Sequence, residues 1–149
     1  MKGLAGALFF LTVIFSVPTL AQGDSHAYTV WVDKSDNRLT LKEGNAVVKT
    51  YVVATGTKNS TPVGSFKVTT MLKDPTWYKP GQVVGPHDER NHLGTRWIGI
   101  NKKGYGIHGT TEPEKLGQQV SAGCVRMKNR DVEELFSIVK PGTPVIIQN

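Results

Sequence analysis

The chain has 149 residues and a formal net charge of +6, and it contains a single cysteine. One thiol excludes an internal disulfide framework, although small exported domains commonly depend on one. The basic charge favours contact with anionic polymers, but no nucleic-acid-binding motif accompanies it, so we expect no nucleic-acid partner. The length is that of one ordinary domain.

The N-terminus has the pattern of a secretory signal. Lys2 precedes an apolar run, residues 4–17, and the small-residue end Thr19-Leu20-Ala21 follows it. We expect residues 1–21 to be removed as a signal peptide, which leaves an exported chain without a stable membrane span. An uncleaved anchor is the alternative, but the apolar run is shorter than the roughly 20 residues that span a bilayer.

The first half of the chain predicts β-strands. β-branched and aromatic residues form short alternating runs that are separated by Gly, Asn and Asp turns, a pattern typical of antiparallel hairpins. The predicted strands are residues 28–32, 39–41, 47–53 and 66–68.

Residues 71–94 break this pattern. Three prolines and weak periodicity predict a long irregular loop, a kind of segment that often carries function. Trp77 and Tyr78 lie between two of these prolines, so we expect them to form a stiff apolar surface that covers a bound substrate. The alternative is that Trp77 fills the edge of the core. Residues 96–100 and 105–107 are predicted to be strands again.

One helix is predicted near the C-terminus. Asp131 with Glu134 fits a capping box, and Asn129 is the alternative cap. One apolar stripe recurs at helical spacing, formed by Val132, Leu135, Phe136 and Val139. Pro141-Gly142 ends the helix, and a closing strand follows. The sequence therefore predicts one mainly β domain, residues 28–148, with one short C-terminal helix and a long irregular loop.

Cys124 follows the small residues Ser121, Ala122 and Gly123, which predict a turn that leaves the thiol accessible. Gly123 suits a close backbone approach or a φ that other residues avoid. Consecutive N–H groups in such a turn can converge on one point, where they would stabilise an oxyanion and bind substrate. The alternative is a thiol packed between strands as a small hydrophobic group.

His108 lies at the end of a predicted strand and is followed by Gly109. A thiol needs a base or a cation beside it to be a good nucleophile at neutral pH. An imidazole can accept the thiol proton and then return it to a leaving amine. A lone His is more often structural, so the hypothesis depends on the pairing of His108 with Cys124. Glu112, Asp131 or a backbone carbonyl could orient the imidazole.

Two segments together carry a family resemblance. Ile107-His108-Gly109-Thr110, followed by Ser121-Ala122-Gly123-Cys124-Val125-Arg126-Met127, resembles the catalytic signature of the L,D-transpeptidase (YkuD-type) family. Further similar stretches bring the resemblance to residues 28–147; they are residues 61–66, 93–97, 129–136 and 142–145. The resemblance implies a YkuD-type, β-sandwich-like catalytic domain.

The resemblance also implies residue roles. It assigns the nucleophile to Cys124, the base to His108 and the oxygen that orients the base to the carbonyl of Gly109. Arg126 is interpreted either as a substrate-binding residue or as a structural ion pair, and Ser121 as a local hydrogen-bonding residue. Many family members carry a His at the position of Ala122, so no side-chain role carries over to that position.

The implied activity is acyl transfer on peptidoglycan stem peptides, in the periplasm or cell wall. Cys124 would attack the amide before a terminal D-Ala, form a thioester and pass the acyl group to a second stem, which gives a 3-3 crosslink. No metal or organic cofactor is implied, and carbapenem-type inhibitors are expected to acylate the thiol. Water as acceptor would give an L,D-carboxypeptidase, and a protein lysine would give an anchoring transferase.

Three other interpretations compete with this one. A sortase-type enzyme also pairs His and Cys, but its Arg lies further along the chain than Arg126 does. Glu89-Arg90-Asn91-His92 resembles part of a zinc-protease motif, yet Asp88 stands where the first His ligand is needed, so His87 and His92 are interpreted as solvated loop residues. A non-catalytic wall-binding module would need no paired thiol and imidazole.

Overall fold

The computed structural model describes residues 27–149, so the expected signal peptide, residues 1–21, lies outside the described residues. The described part contains one α-helix, α1 (Asn129–Ile138), and twelve strands. The strands are β1 Tyr28–Asp33, β2 Arg38–Glu43, β3 Ala46–Val52, β4 Thr55–Gly56, β5 Gly64–Lys73, β6 Trp77–Lys79, β7 Gln82–Val84, β8 Arg96–Ile100, β9 Gly106–His108, β10 Gln119–Ser121, β11 Val125–Arg126 and β12 Pro144–Gln148.

Eight of these strands form the main sheet, in the order β11-β9-β8-β5-β12-β1-β2-β3. β1, β2 and β3 pair as consecutive antiparallel hairpins, as the alternating pattern predicts. The C-terminal strand β12 inserts between β1 and β5 and runs parallel to β1. Alternate residues of β1 and β2, such as Val30 and Leu39, are buried, so one face of each hairpin meets the core.

The two ends of the sheet meet, so the sheet curls around the core. Ala54, just after β3, exchanges two backbone hydrogen bonds of 2.9 Å with Arg126 of β11. The core inside this curl is aliphatic and includes Val30, Leu39, Leu41, Ile98, Ile107, Val125, Met127, Val132 and Leu135. The prediction of a mainly β domain with one C-terminal helix is confirmed.

The predicted irregular loop is more ordered than expected. β5 continues through Met71 to Lys73 because its pairing with β8 extends that far, and β6 with β7 forms a two-stranded hairpin. The remaining irregular part is tied down by the buried amide of Asn91, whose Nδ2 donates to the carbonyls of Pro75 at 2.8 Å and Gly85 at 2.9 Å. Prediction of a loop from residue 71 onward is therefore wrong for residues 71–73 and for the hairpin.

The helix α1 has the predicted apolar stripe but not the predicted cap. Val132, Leu135 and Val139 are buried, whereas the N-cap is Lys128 and makes no side-chain capping bond. Asn129 cannot serve as the cap because it lies inside the first turn, and its Oδ1 accepts N–H groups from other segments. Within residues 27–149, no helix is long and apolar enough to cross a membrane.

Candidate active site

Two short parallel strands bring the candidate nucleophile and base together. β11 pairs with β9 so that Arg126 lies opposite His108, and the N–H of Met127 donates to the His108 carbonyl at 2.8 Å. Paired residues of neighbouring strands lie about 4.8 Å apart and point to the same face. Cys124 immediately precedes β11, and it lines a cavity of about 140 Å³ together with His108 and Arg126.

The turn that carries Cys124 is fixed by hydroxyl groups. The Ser121 hydroxyl donates to the Cys124 carbonyl at 2.6 Å and accepts the Gly123 N–H at 3.0 Å. The buried Thr61 hydroxyl donates to the Gly123 carbonyl at 2.8 Å and accepts the Gly56 N–H at 2.7 Å. The thiol is therefore presented from a turn whose backbone is held on both sides.

Gly123 is required by this packing. Its φ is +144°, and a Cβ there would lie 2.7 Å from Cε1 of Tyr105 and 3.0 Å from the carbonyl oxygen of Ser60. Because the Gly123 N–H already donates to Ser121, it is not free for a substrate oxygen in this conformation. The backbone N–H of Cys124 itself has no acceptor among residues 27–149.

The Cys124 thiol is half-buried, and its Sγ lies 3.5 Å from the carbonyl oxygen of Gly104. Burial raises the pKa of the thiol, while a backbone hydrogen bond from Gly106 and the charge of Arg126 lower it. Burial is the largest of these effects, so the resting sulfur carries its proton at neutral pH. A nucleophilic role therefore requires a base that removes this proton.

His108 has the geometry of such a base. Its Nδ1 lies 2.7 Å from the carbonyl oxygen of Gly109, and since a carbonyl only accepts, Nδ1 carries the proton and Nε2 keeps its lone pair. Burial lowers the pKa of His108 to about 4; the bond to Gly109 raises it, and Arg126 and His92 lower it. The imidazole, 4% exposed, is therefore neutral at neutral pH and free to accept a proton.

Trp97 packs against this imidazole and Asn129 fixes the backbone beside it, and neither residue had been predicted to belong to the site. Trp97 of β8 stacks on it with ring centroids 5.7 Å apart and an angle of 19°. Asn129 Oδ1 accepts the N–H of Thr110 at 3.1 Å and of Thr95 at 3.3 Å. A Cβ on Gly109 would lie 2.1 Å from that Oδ1, so a glycine is needed where the carbonyl meets His108.

Arg126 forms an ion pair inside the cavity wall. Its Nη1 lies 3.0 Å from Oε2 of Glu112, which also pairs with Lys115 and lies 3.3 Å from Nδ1 of His92. The Arg126 Nε is buried without an acceptor. Glu112 thus contacts Arg126 rather than orienting His108, whose Nδ1 faces Gly109.

His92 is a loop residue, as interpreted from the sequence, and its side chain is 37% exposed, but it also belongs to the candidate site. His92 lines the same cavity as Cys124 and His108, and its ring lies 5.2 Å from that of Trp77. Nothing local to its sequence indicated this, because the contacts come from residues distant in the chain. His87, by contrast, has a side chain that is 72% exposed.

A second, mostly apolar cavity of about 290 Å³ meets the first at Cys124. Its walls include Leu72, Pro75, Trp77, Tyr78, Leu93 and Trp97. Trp77 borders both cavities and lies outside the main core cluster, and Tyr78 is 75% exposed. The thiol therefore lies at the junction of an apolar groove and a smaller cavity that His92, His108 and Arg126 line.

Known proteins share this fold and sequence pattern. The L,D-transpeptidase catalytic domain family (YkuD) matches residues 27–147. YqjB of Bacillus subtilis (strain 168), which carries an L,D-transpeptidase name, is 40% identical over 151 residues, or 93% of this chain and 84% of YqjB.

Solved structures agree with this match. The catalytic domain of an Enterococcus faecium L,D-transpeptidase gives a TM-score of 0.66 at 25% identity, over 85% of this chain and 100% of that one. LD transpeptidase LdtMt1 in complex with imipenem gives 0.68 at 18% identity, over 82% of this chain and 59% of that one. The chain thus spans less than two thirds of the length of LdtMt1.

Proposed function

Because the chain belongs to the L,D-transpeptidase catalytic domain family, we propose that it is an exported enzyme that crosslinks peptidoglycan stem peptides through a thioester on Cys124. Family membership supports acyl transfer on peptidoglycan. The observation that carries the residue assignment is the shared cavity of Cys124 and His108, with the imidazole oriented by the Gly109 carbonyl. The site of action is the periplasm or cell wall.

In the first half-reaction, Nε2 of His108 takes the proton from Sγ of Cys124, and the thiolate attacks the carbonyl carbon of the third stem residue. The Cys124 N–H, which lacks an internal acceptor, is suited to stabilise the oxyanion. The imidazolium then donates its proton to the amine nitrogen of the terminal D-Ala, the C–N bond breaks and D-Ala leaves.

In the second half-reaction, an amine of another stem attacks the thioester. A new C–N bond forms, the C–S bond breaks and His108 accepts the proton that the nitrogen loses, which gives a 3-3 crosslink. Attack by water would release the stem as an L,D-carboxypeptidase would, and a protein lysine would make the same site an anchoring transferase. The apolar groove at Cys124 suits the extended stem of the donor.

Carbapenem-type inhibitors are expected to acylate Cys124, in line with the imipenem complex of LdtMt1. Arg126 remains a candidate for substrate binding, because its Nε has no acceptor even though Nη1 is paired with Glu112.

The test is intact-protein mass spectrometry with a tetrapeptide stem. The expected result is an acyl-enzyme, one released D-Ala and a crosslinked dimer, together with one imipenem adduct. Cys124→Ala should lose every one of these products while keeping the far-UV and near-UV circular dichroism of the wild type. Transfer at the wild-type rate by Cys124→Ala would refute the assignment, and so would an unmodified wild-type enzyme.

A further inference from the structure

The smaller cavity at Cys124 contains a second imidazole that the steps above do not use. His92 and His108 both line it, together with Cys124 and Arg126. His92 has a side chain that is 37% exposed, whereas His108 is buried. The cavity therefore holds one imidazole that solvent and an incoming molecule can reach and one that they reach poorly.

The surroundings of His92 fix which of its ring nitrogens is available. Nδ1 lies 3.3 Å from Oε2 of Glu112, and the ring packs against Trp77. No partner for Nε2 is found among residues 27–149. The carboxylate thus favours the tautomer whose proton is on Nδ1 and leaves the Nε2 lone pair free. Other charged or titratable groups lie near His92. Lys115 and Arg126 form ion pairs with the same Glu112, and His108 and Cys124 line the same cavity. Nζ of Lys79 is 4.4 Å from the ring centroid of Trp77.

An amine acceptor creates a proton problem that His108 is poorly suited to solve. An alkylamine with a pKa of about 10.4 reaches the enzyme as an ammonium ion at neutral pH, and this ion has no lone pair with which to attack. The ammonium must lose one proton before it can attack, and its nitrogen loses a second one as the C–N bond forms. His108 has one free ring nitrogen, Nε2, which can hold only one of these protons, and it is needed for the second.

The leaving amine and the acceptor amine use the same side of the thiol. His108 protonates the leaving nitrogen from the smaller cavity, and the reverse of that step describes how an acceptor amine approaches the thioester. The acceptor therefore enters the cavity that His92 lines.

We propose that His92, held by Glu112, is the base that deprotonates the ammonium group of the acceptor, a role that rests on the transpeptidase function proposed above. Nε2 of His92 takes one proton from the ammonium, and the free amine attacks the thioester. The C–N bond forms, the C–S bond breaks and the sulfur leaves as a thiolate. His108 accepts the second proton and passes it to the thiolate, and the protonated His92 releases its proton to solvent.

The test separates acylation from aminolysis in the full chain and its His92→Gln variant. The acyl-enzyme is first formed with the tetrapeptide stem, and its decay is then measured with two acceptors. One acceptor is Nα-acetyl-lysine amide, with an amine pKa of about 10.4, and the other is glycinamide, an α-amine of pKa about 8. Mass spectrometry follows the acyl-enzyme and both products.

His92→Gln should still form the acyl-enzyme and release D-Ala, so that the decay of the preformed acyl-enzyme can be compared with that of the wild type. Its transfer to the lysine side chain should be slower by about 10²-fold at pH values from about 7 to about 9, at the low end of general-base effects. Transfer to glycinamide should be impaired at about pH 7 but within about threefold of wild type at about pH 9, where the free amine predominates.

The matched control is His87→Gln, which lies in the same segment, borders neither cavity at Cys124 and should react like the wild type with both amines. His92→Gly supplies a second test, because added imidazole should restore transfer to the lysine side chain in a concentration-dependent way. An equal loss with both amines at every pH, or no rescue by imidazole, would overturn the role of His92. A wild-type protein that forms no acyl-enzyme would instead refute the proposed function.

Discussion

Acidification is expected to destabilise the fold through His108. Burial lowers the pKa of this imidazole from 6.5 to about 4 in the folded protein. Between these values the unfolded chain binds a proton that the folded chain does not, so the free energy of unfolding falls as the pH decreases from 6.5 to about 4. From about pH 7 to about pH 4 the loss is about 3 kcal/mol, since one pKa unit corresponds to about 1.4 kcal/mol.

The assay is urea unfolding followed by tryptophan fluorescence, at several pH values, for the wild type and His108→Gln. Glu112 also stabilises the fold less as the pH falls, because Lys115 lowers the pKa of its carboxyl group and protonation of that group removes the interaction. That contribution is common to both proteins, so the difference between their pH slopes isolates His108.

Equal pH slopes for the wild type and His108→Gln would show that the folded protein protonates His108 as readily as the unfolded chain does. The imidazole would then be charged over part of the acidic range in which it is expected to be neutral. Burial would then not be what keeps His108 neutral beside the thiol.

Three further changes test the supporting residues. Thr61→Val leaves a buried N–H and a buried carbonyl unpaired, so the free energy of unfolding should fall by about 2–4 kcal/mol in urea titrations, whereas Thr50→Val, at an exposed position, should change it by less than about 0.5 kcal/mol. Trp77→Ala should leave stability nearly unchanged, weaken stem binding and raise hydrolysis relative to transfer in product analysis; unchanged partitioning would contradict a substrate cover. Asn129→Ala removes the acceptor of two N–H groups and should slow acylation by the stem, while Asn129→Asp, which keeps an acceptor oxygen, should slow it less.

The parts of the fold that could be predicted are those decided by local pattern. The hairpins of β1 to β3 alternate buried and exposed residues, and α1 repeats apolar residues at helical spacing. The end of β5 could not be predicted in this way, because Leu72 is half-exposed and only its pairing with Trp97 makes that stretch a strand. The parallel insertion of β12 beside β1 likewise depends on contacts between the two ends of the domain.

The candidate site shows the same difference between residues with local signals and residues with long-range contacts. Cys124 and His108 were predicted as a pair from the small residues around the thiol and the glycine after the imidazole. The role of the Gly109 carbonyl came from the family resemblance, because the residues alone left Glu112 and Asp131 open. The structure brings Cys124 and His108 to one cavity and places the Gly109 carbonyl oxygen 2.7 Å from Nδ1 of His108. Thr61 could not be given a role, because its hydroxyl meets the Gly123 carbonyl across 62 positions of sequence. Asn129 was interpreted only as an alternative helix cap, because the N–H groups that its Oδ1 accepts, those of Thr95 and Thr110, belong to loops that are remote in sequence.

The junction of the two cavities bears on which acceptor the enzyme would choose. If the donor stem lies in the apolar groove, its thioester carbonyl is open to attack only from the smaller cavity. Water in that cavity would need a base to take its proton as it attacks. An amine that has lost its ammonium proton is already a strong nucleophile. Transfer would therefore be favoured over hydrolysis wherever His92 supplies the free amine, as proposed above.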